Sequence, residues 1–334
     1  MDSSPTRRRS ARVGVREVAV AAGVSTQTVS RVINAHPGIR DETRLRVLAA
    51  MESLGYRVNN AARALGTSRS RTLGVIASDA TLYGPSVGIA ALESAARAEG
   101  RWMATAYADA SDEASVDAAL EHLLAQGVDG VILIAAHERT LEAMAVREIG
   151  VPVTALHSGP GAERQADAAA LAVEHLVALG HRRIARVGGP ADWLEEDARA
   201  RGFAAALSAH GLQPGHSWAG DWAAASGAAL ATAIGAAVRA PDGPTAVVVA
   251  NDQMALGVMA GLASAGLDVP RDVSLVGFDD TPDAAFYRPA LTTLRLDLAG
   301  EARRCVAEVL GLDPTASPGQ PRLVVRSSTA PPRD

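Results

Sequence analysis

Thr26, Gln27, Thr28, Ser30 and Arg31 set hydroxyl, amide and guanidinium groups side by side, interrupted only by Val29. Such groups donate and accept hydrogen bonds; as a set they supply no nucleophile and no proton shuttle. Their chemistry is that of reading a polar surface such as base edges and phosphates. Sets that do covalent chemistry are missing from the sequence. The chain has no lysine, which removes a P-loop. Its eight histidines are scattered without metal-ligand spacing. We expect no enzyme activity, no cofactor and no metal. The single cysteine, Cys305, falls in a helical pattern with Val306 and Val309 and is read as a packing residue. One cysteine allows no internal disulfide and fits a reducing cytosol.

The charge is distributed unevenly. Residues 1–71 hold thirteen Arg against five Asp or Glu, about +8, so with a net charge of −5 the remainder carries about −13. A basic head on an acidic body suits nucleic acid, because only the head must neutralise phosphates. Arg7, Arg8 and Arg9 alone would equally suit a solubilising tail. A length of 334 residues implies two or three units, and 48% apolar residues suffice to build their cores. No stretch reaches the roughly 20 apolar residues of a membrane span. The polar, Arg-rich start is no signal peptide. Cytoplasmic, nucleoid-associated localisation is expected, with no membrane partner.

The elements that would present the polar stretch are short helices. Val15, Val18, Ala19 and Ala22 share one helical face, and Gly23 follows where a helix ends left-handed. Ser25 sits where an N-cap belongs, and Thr26–Asn34 reads as a second helix with Val29, Val32 and Ile33 inward. The pair makes a helix-turn-helix, its second helix destined for the major groove. A third helix is capped by Asp41 and carries Val47, Met51 and Leu54. From Thr72 onward, apolar strands alternate with Ala-rich helices, the pattern of parallel sheets with helices on both faces. Two such runs predict two doubly wound subdomains, with a ligand cleft at the C-terminal ends of their strands.

The segment Val15–Asn34 (VREVAVAAGVSTQTVSRVIN), with Glu42-Thr-Arg44 and Leu54-Gly-Tyr-Arg57, resembles the headpiece of the lactose repressor family of bacterial transcription regulators. The resemblance continues to about residue 330 through His175–Ile184, Gly188-Gly-Pro190, Ala250–Gly257, Gly277-Phe-Asp-Asp280 and Pro289–Leu294. It implies an all-α headpiece over 1–58, a hinge helix and linker over 59–70, and an α/β body over 71–330 resembling periplasmic binding proteins. The body's first subdomain would take about 71–164 and 292–321, its second about 165–291 and 322–330. The implied function is a repressor that leaves a palindromic operator when a small carbohydrate, galactosides included, binds.

By that resemblance Thr26, Gln27 and Arg31 read bases, while Ser25, Thr28, Ser30 and Asn34 contact phosphates or cap helices. Asn59, Ala62 and Leu65 belong to a hinge that folds on DNA, with Leu65 wedged into the minor groove. Val58 and Ala61 depart from the family's proline and larger apolar residue, leaving the hinge less pre-organised. In the body, Arg199 clamps the effector, Asn251 and Asp279 bond its hydroxyls, and Trp222 stacks on it. Each has a structural alternative: Arg199 in a surface pair with Glu195, Asp279 as a strand-end cap, Trp222 as core. Ser78, Leu82 and Pro85 would form the opposite wall. His157 stands where the family usually places an Asp, and Ile134 and Ala135 where a polar residue would help hold a sugar. No leucine-heptad tail follows the strand at Leu323–Arg326, which predicts a homodimer. A purine- or nucleoside-responsive regulator and a sugar-binding protein with no role in transcription remain open.

Overall fold

The computed structural model describes residues 13–34, 36–57, 70–313 and 317–333. The chain divides into two units, up to Ser70 and from Arg71 onward. In the first, α1 (Val15–Ala22) stops at Gly23, whose φ of 65° is cheap only without a Cβ. The Val24 N–H then donates back to the Ala19 carbonyl at 3.0 Å. α2 (Thr26–Ile33) begins at Ser25, whose hydroxyl accepts from the Thr28 N–H at 3.1 Å. α3 (Asp41–Ser53) is capped differently from the sequence expectation. Arg40 holds the cap position with no side-chain bond, and Asp41 is already helical, its charge facing the positive end of the helix dipole. Val18, Ala19, Ala22, Val29, Val32, Val47 and Ala50 meet in a small core. Asn59, Ala62 and Leu65, with Val58 and Ala61, lie outside the described residues.

The second unit holds two sheets. The first contains β1 (Thr72–Ala77), β2 (Trp102–Tyr107), β3 (Val131–Ile134) and β4 (Val153–Ala155), all parallel, in the order β2-β1-β3-β4. Its inner strands are buried on both faces, which is why β3 reads as an unbroken apolar run. The helices α4 (Tyr83–Ala98), α5 (Glu113–Ala125) and α6 (Glu138–Ala145) follow the first three strands in turn. The second sheet contains β5 (Ile184–Gly188), β6 (Ser217–Ala219), β7 (Ala246–Val249), β8 (Ser274–Phe278), β9 (Thr292–Arg295) and β10 (Arg322–Val324). Its order is β10-β9-β8-β7-β5-β6, and β10 alone runs antiparallel. The pairs α7 (Pro160–Ala178) with α8 (Leu194–Ala209), and α9 (Ala224–Arg239) with α10 (Asp252–Ser264), pack around it.

Two points differ from the sequence reading. β6 and α9 have no counterpart in it. β6 is three half-exposed residues, and α9 is so rich in Ala and Gly that its faces barely differ in polarity. More consequentially, β9 was expected in the first subdomain, yet it pairs with β8 in the second sheet. The chain returns to the first lobe only at α11 (Leu298–Leu310), which packs on α4, β3 and β4. The crossover therefore falls after Arg295. Crossing segments place Leu156, His157, Leu296 and Leu298 between the lobes.

Left-handed backbone gathers at the C-terminal ends of the strands. Asp79 follows β1, Ala135 follows β3, Asp192 follows β5, Trp222 follows β6, and Asp279 and Asp280 follow β8, all with positive φ. None is glycine. Residues held there against intrinsic preference cluster at binding and switch sites.

Candidate functional site

In α2, Thr26, Gln27, Ser30 and Arg31 are exposed, and Thr28 and Asn34 half-buried. Burying Val29 and Val32 forces this result, because the opposite helical face must then point to water. Ser25 and Thr28 are tied together through their hydroxyls at 2.9 Å. That couples both to the helix start and leaves Gln27 and Arg31 as the long side chains of the open face.

Between the two sheets lies a cleft, part of it open to solvent. Leu82, Pro85, Ile134, Leu156 and His157 line one side, and Gln165, Trp193, Glu195, Arg199, Trp222, Asn251, Gln253 and Asp279 the other. Arg199 is buried, so it is no surface ion pair. Its Nε–H donates to Gln165 Oε1 at 2.8 Å and its Nη1 to the Ala250 carbonyl. Nη2 lies 3.5 Å from Asp279 Oδ1, and the guanidinium stacks 3.7 Å above the Phe278 ring. The planar fork is thus fixed before any ligand arrives.

Trp222 is 4% exposed, as a core residue would be, yet it lines the cleft and its Nε1–H has no partner. Asn251 holds it from behind. Its Nδ2 donates to the Trp222 carbonyl at 2.9 Å, while its Oδ1 accepts from the Met254 N–H at the start of α10. Much of the Asn251 amide is therefore committed to backbone. The indole rests on Gly189, where a Cβ would overlap the ring. Gly189→Ala should displace the indole, shift tryptophan emission and destabilise the body by about 1–3 kcal/mol through overpacking. Unchanged emission and melting would show that the ring does not depend on this contact. Trp193, with centroids 5.4 Å away, completes an aromatic wall.

The electrostatics are those of a dry site. Burial raises Asp279 to about 6 against the pull of Arg199, and raises Glu195 to about 6. Burial, with Arg199, Arg304 and Arg164 nearby, lowers His157 to about 3, so its imidazole is neutral at physiological pH. Glu195 Oε2 and Gln165 Nε2 are buried without hydrogen-bond partners. Ser78 does not line the cleft: its hydroxyl is given to the Ala108 carbonyl at 2.7 Å. This corrects its expected place in the wall.

The lobes also touch directly. The Leu194 N–H donates to the Ala136 carbonyl and the Glu138 N–H to the Asp192 carbonyl, forming a short antiparallel bridge of His137 with Trp193. His137 Nδ1 lies 3.1 Å from Asp192 Oδ2. Beside it the Tyr83 N–H donates to Gln253 Oε1 at 3.3 Å.

Residues 15–59 match the bacterial regulatory proteins of the lacI family, and residues 173–329 match a periplasmic binding protein-like domain. The lactose operon repressor of Escherichia coli (strain K12) is 37% identical over 289 residues, 84% of this chain and 79% of that protein. The chain belongs to the LacI family. It is a DNA-binding transcriptional regulator. The Streptomyces coelicolor regulator MalR is 35% identical over 94% of this chain and 96% of its own length. A solved lac repressor dimer, bound to operator and the anti-inducer ONPF, superposes with a TM-score of 0.75. It shares 33% identity and covers 95% of this chain and 99% of that one.

In this LacI-family body, Leu82, Pro85, His157, Arg199, Trp222, Asn251 and Asp279 are brought together. Sequence reasoning missed Trp193, Gln165 and Gln253, and named Glu195 only as a surface partner for Arg199. Trp193 carried a usable signal. It is one of four tryptophans, five residues after the end of β5, where a strand end opens toward a cleft. Gln165 lies inside a helix and carried none. Among the described residues, no cluster could hold a metal and no helix could cross a membrane.

Proposed function

We propose that the protein is a repressor that grips a palindromic operator as a two-fold dimer and lets go when a small carbohydrate fills the cleft. The observation that carries the effector half is the set of buried, unpaired polar atoms around an aromatic wall: Trp222 Nε1, Gln165 Nε2 and Glu195 Oε2. Buried polar groups are nearly always paired, so three orphans on one cavity point to a missing hydrogen-bonding ligand. An apolar ring face with hydroxyls around its edge answers that demand. Arg199 and Asp279 bond the ligand, Trp222 stacks on it, and Leu82, Pro85 and His157 close the other side.

On DNA, Thr26, Gln27 and Arg31 read base edges, with Ser25, Thr28, Ser30 and Asn34 on phosphates. Asn59, Ala62 and Leu65 form the hinge, Leu65 acting as the wedge. Effector binding shifts the lobes, and by linkage operator DNA weakens effector binding by the same factor. The cleft binds without turning its ligand over, and the protein works in the cytoplasm on the nucleoid. A thermal-shift screen of mono- and disaccharides, sugar phosphates and nucleosides tests this. Ligand in excess of its Kd raises Tm. A sugar that raises Tm and also releases an operator duplex supports the reading. A response to nucleosides alone replaces the ligand class, and operator binding that no panel member alters sinks the effector half.

A further inference from the structure

The cleft is short of one positive charge. Four ionisable side chains line it: His157, Glu195, Arg199 and Asp279. His157 is held neutral by burial and by the guanidinium groups around it. That leaves two carboxyl groups against one guanidinium, and Arg199 is already divided among Gln165, the Ala250 carbonyl and Asp279. Glu195 shares in none of those bonds. Its side chain is only 13% exposed, and the basic atom it approaches, His157 Nε2, is 4.0 Å away and uncharged. Its Oε2 is buried without a hydrogen bond. Carboxylates are rarely buried unless a counter-charge meets them. On the same cavity, Trp193 and Trp222 lie with ring centroids 5.4 Å apart, and the Arg199 guanidinium already sits 5.5 Å over the Trp222 ring, the kind of contact a cation makes with an indole. The N–H donors of Gln165 and Trp222 await acceptors.

We propose that the effector is an amino sugar: Glu195 receives its protonated amine, its ring lies against Trp193 and Trp222, and its oxygens accept from Gln165 and Trp222. This rests on reading the cleft as the effector site and narrows the ligand class. The ammonium supplies the charge the cleft lacks. A charge-assisted hydrogen bond, roughly twice as strong as a neutral one, then replaces an orphaned oxygen. The charged groups facing Glu195 are Arg199 and Asp279, and an arriving cation also relieves the repulsion between the two carboxylates.

Isothermal titration calorimetry of the full chain at neutral pH tests it. The probes are galactosamine, glucosamine and their disaccharides, each beside its N-acetyl and hydroxyl counterparts. Wild type should bind an amine roughly tenfold or more tighter than both counterparts, equivalent to about 1.4 kcal/mol. The preference should shrink as pH falls through about 6, where Glu195 takes up a proton. Glu195→Gln should bring the ratio of affinities to about one. It removes a buried charge, so a melting temperature at or above wild type certifies the fold. Glu195→Asp, which keeps the charge, should retain part of the preference. Neutral sugars that bind as well as amines, with a change in tryptophan emission, overturn the proposal and leave the carbohydrate reading standing. Binding by no sugar of either kind overturns both.

Discussion

Arg199→Ala lowers the stability of the body by about 3–5 kcal/mol and abolishes the response to effector, while the headpiece retains its fold. The magnitude is that of removing one partner from a buried ion pair. Asp279 sits 3.5 Å from the guanidinium with its side chain 15% exposed, and among the described residues no other cation bonds to it. Gln165 and the Ala250 carbonyl lose their donors as well. The loss depends on pH with a definite sign. Asp279 is already raised in the folded state, to about 6 against 3.8. Without Arg199 it rises further, so the native state binds more protons than the unfolded one over a wider window. Stability then falls with rising pH across that window. The Asp279 contribution levels off above about 6 in wild type, whereas in the variant it continues to fall. Melting curves between acidic and mildly basic pH read this directly. Adding Asp279→Asn should flatten the variant's curve. A variant that melts like wild type at every pH would mean that the pair is not formed.

Arg31→Ala costs about 1–3 kcal/mol in binding the preferred operator and relaxes the preference at one base pair. The side chain is exposed on α2 and absent from the headpiece core, so the change acts on DNA rather than on folding. Fluorescence anisotropy compares a duplex selected by the wild-type protein with single-base variants of it. Gln27→Ala should relax a different position. A uniform loss on every duplex, with the salt slope reduced by about one, would instead make Arg31 a phosphate contact.

The headpiece was legible because each of its signals has a local cause. Gly23 marks a left-handed stop, Ser25 a cap, and the positions of Val29 and Val32 leave only one face of α2 for polar work. The alternating pattern of the body was legible for the same reason, since central strands buried on both faces must be apolar. Partnership across the cleft was hidden. Glu195 stands four residues before Arg199 on α8, the spacing of a helical ion pair, and was read as one. Arg199 instead turns to Gln165 on α7 and to Asp279 beyond β8. No spacing along one element reports such a choice. Ser78 failed in the opposite way: a hydroxyl at a strand end had a nearer acceptor in Ala108. β9 was placed in the wrong lobe because sheet membership is decided by pairing with β8, a contact its own residues do not announce.

Trp193 has two duties. Its backbone is half of the bridge joining the lobes at His137, and its indole is part of the wall on which a ligand would lean. Any separation of the lobes at this point must part the Leu194–Ala136 and Glu138–Asp192 bonds and carry the indole with it, so the wall a ligand would lean on cannot move independently of the join between the lobes.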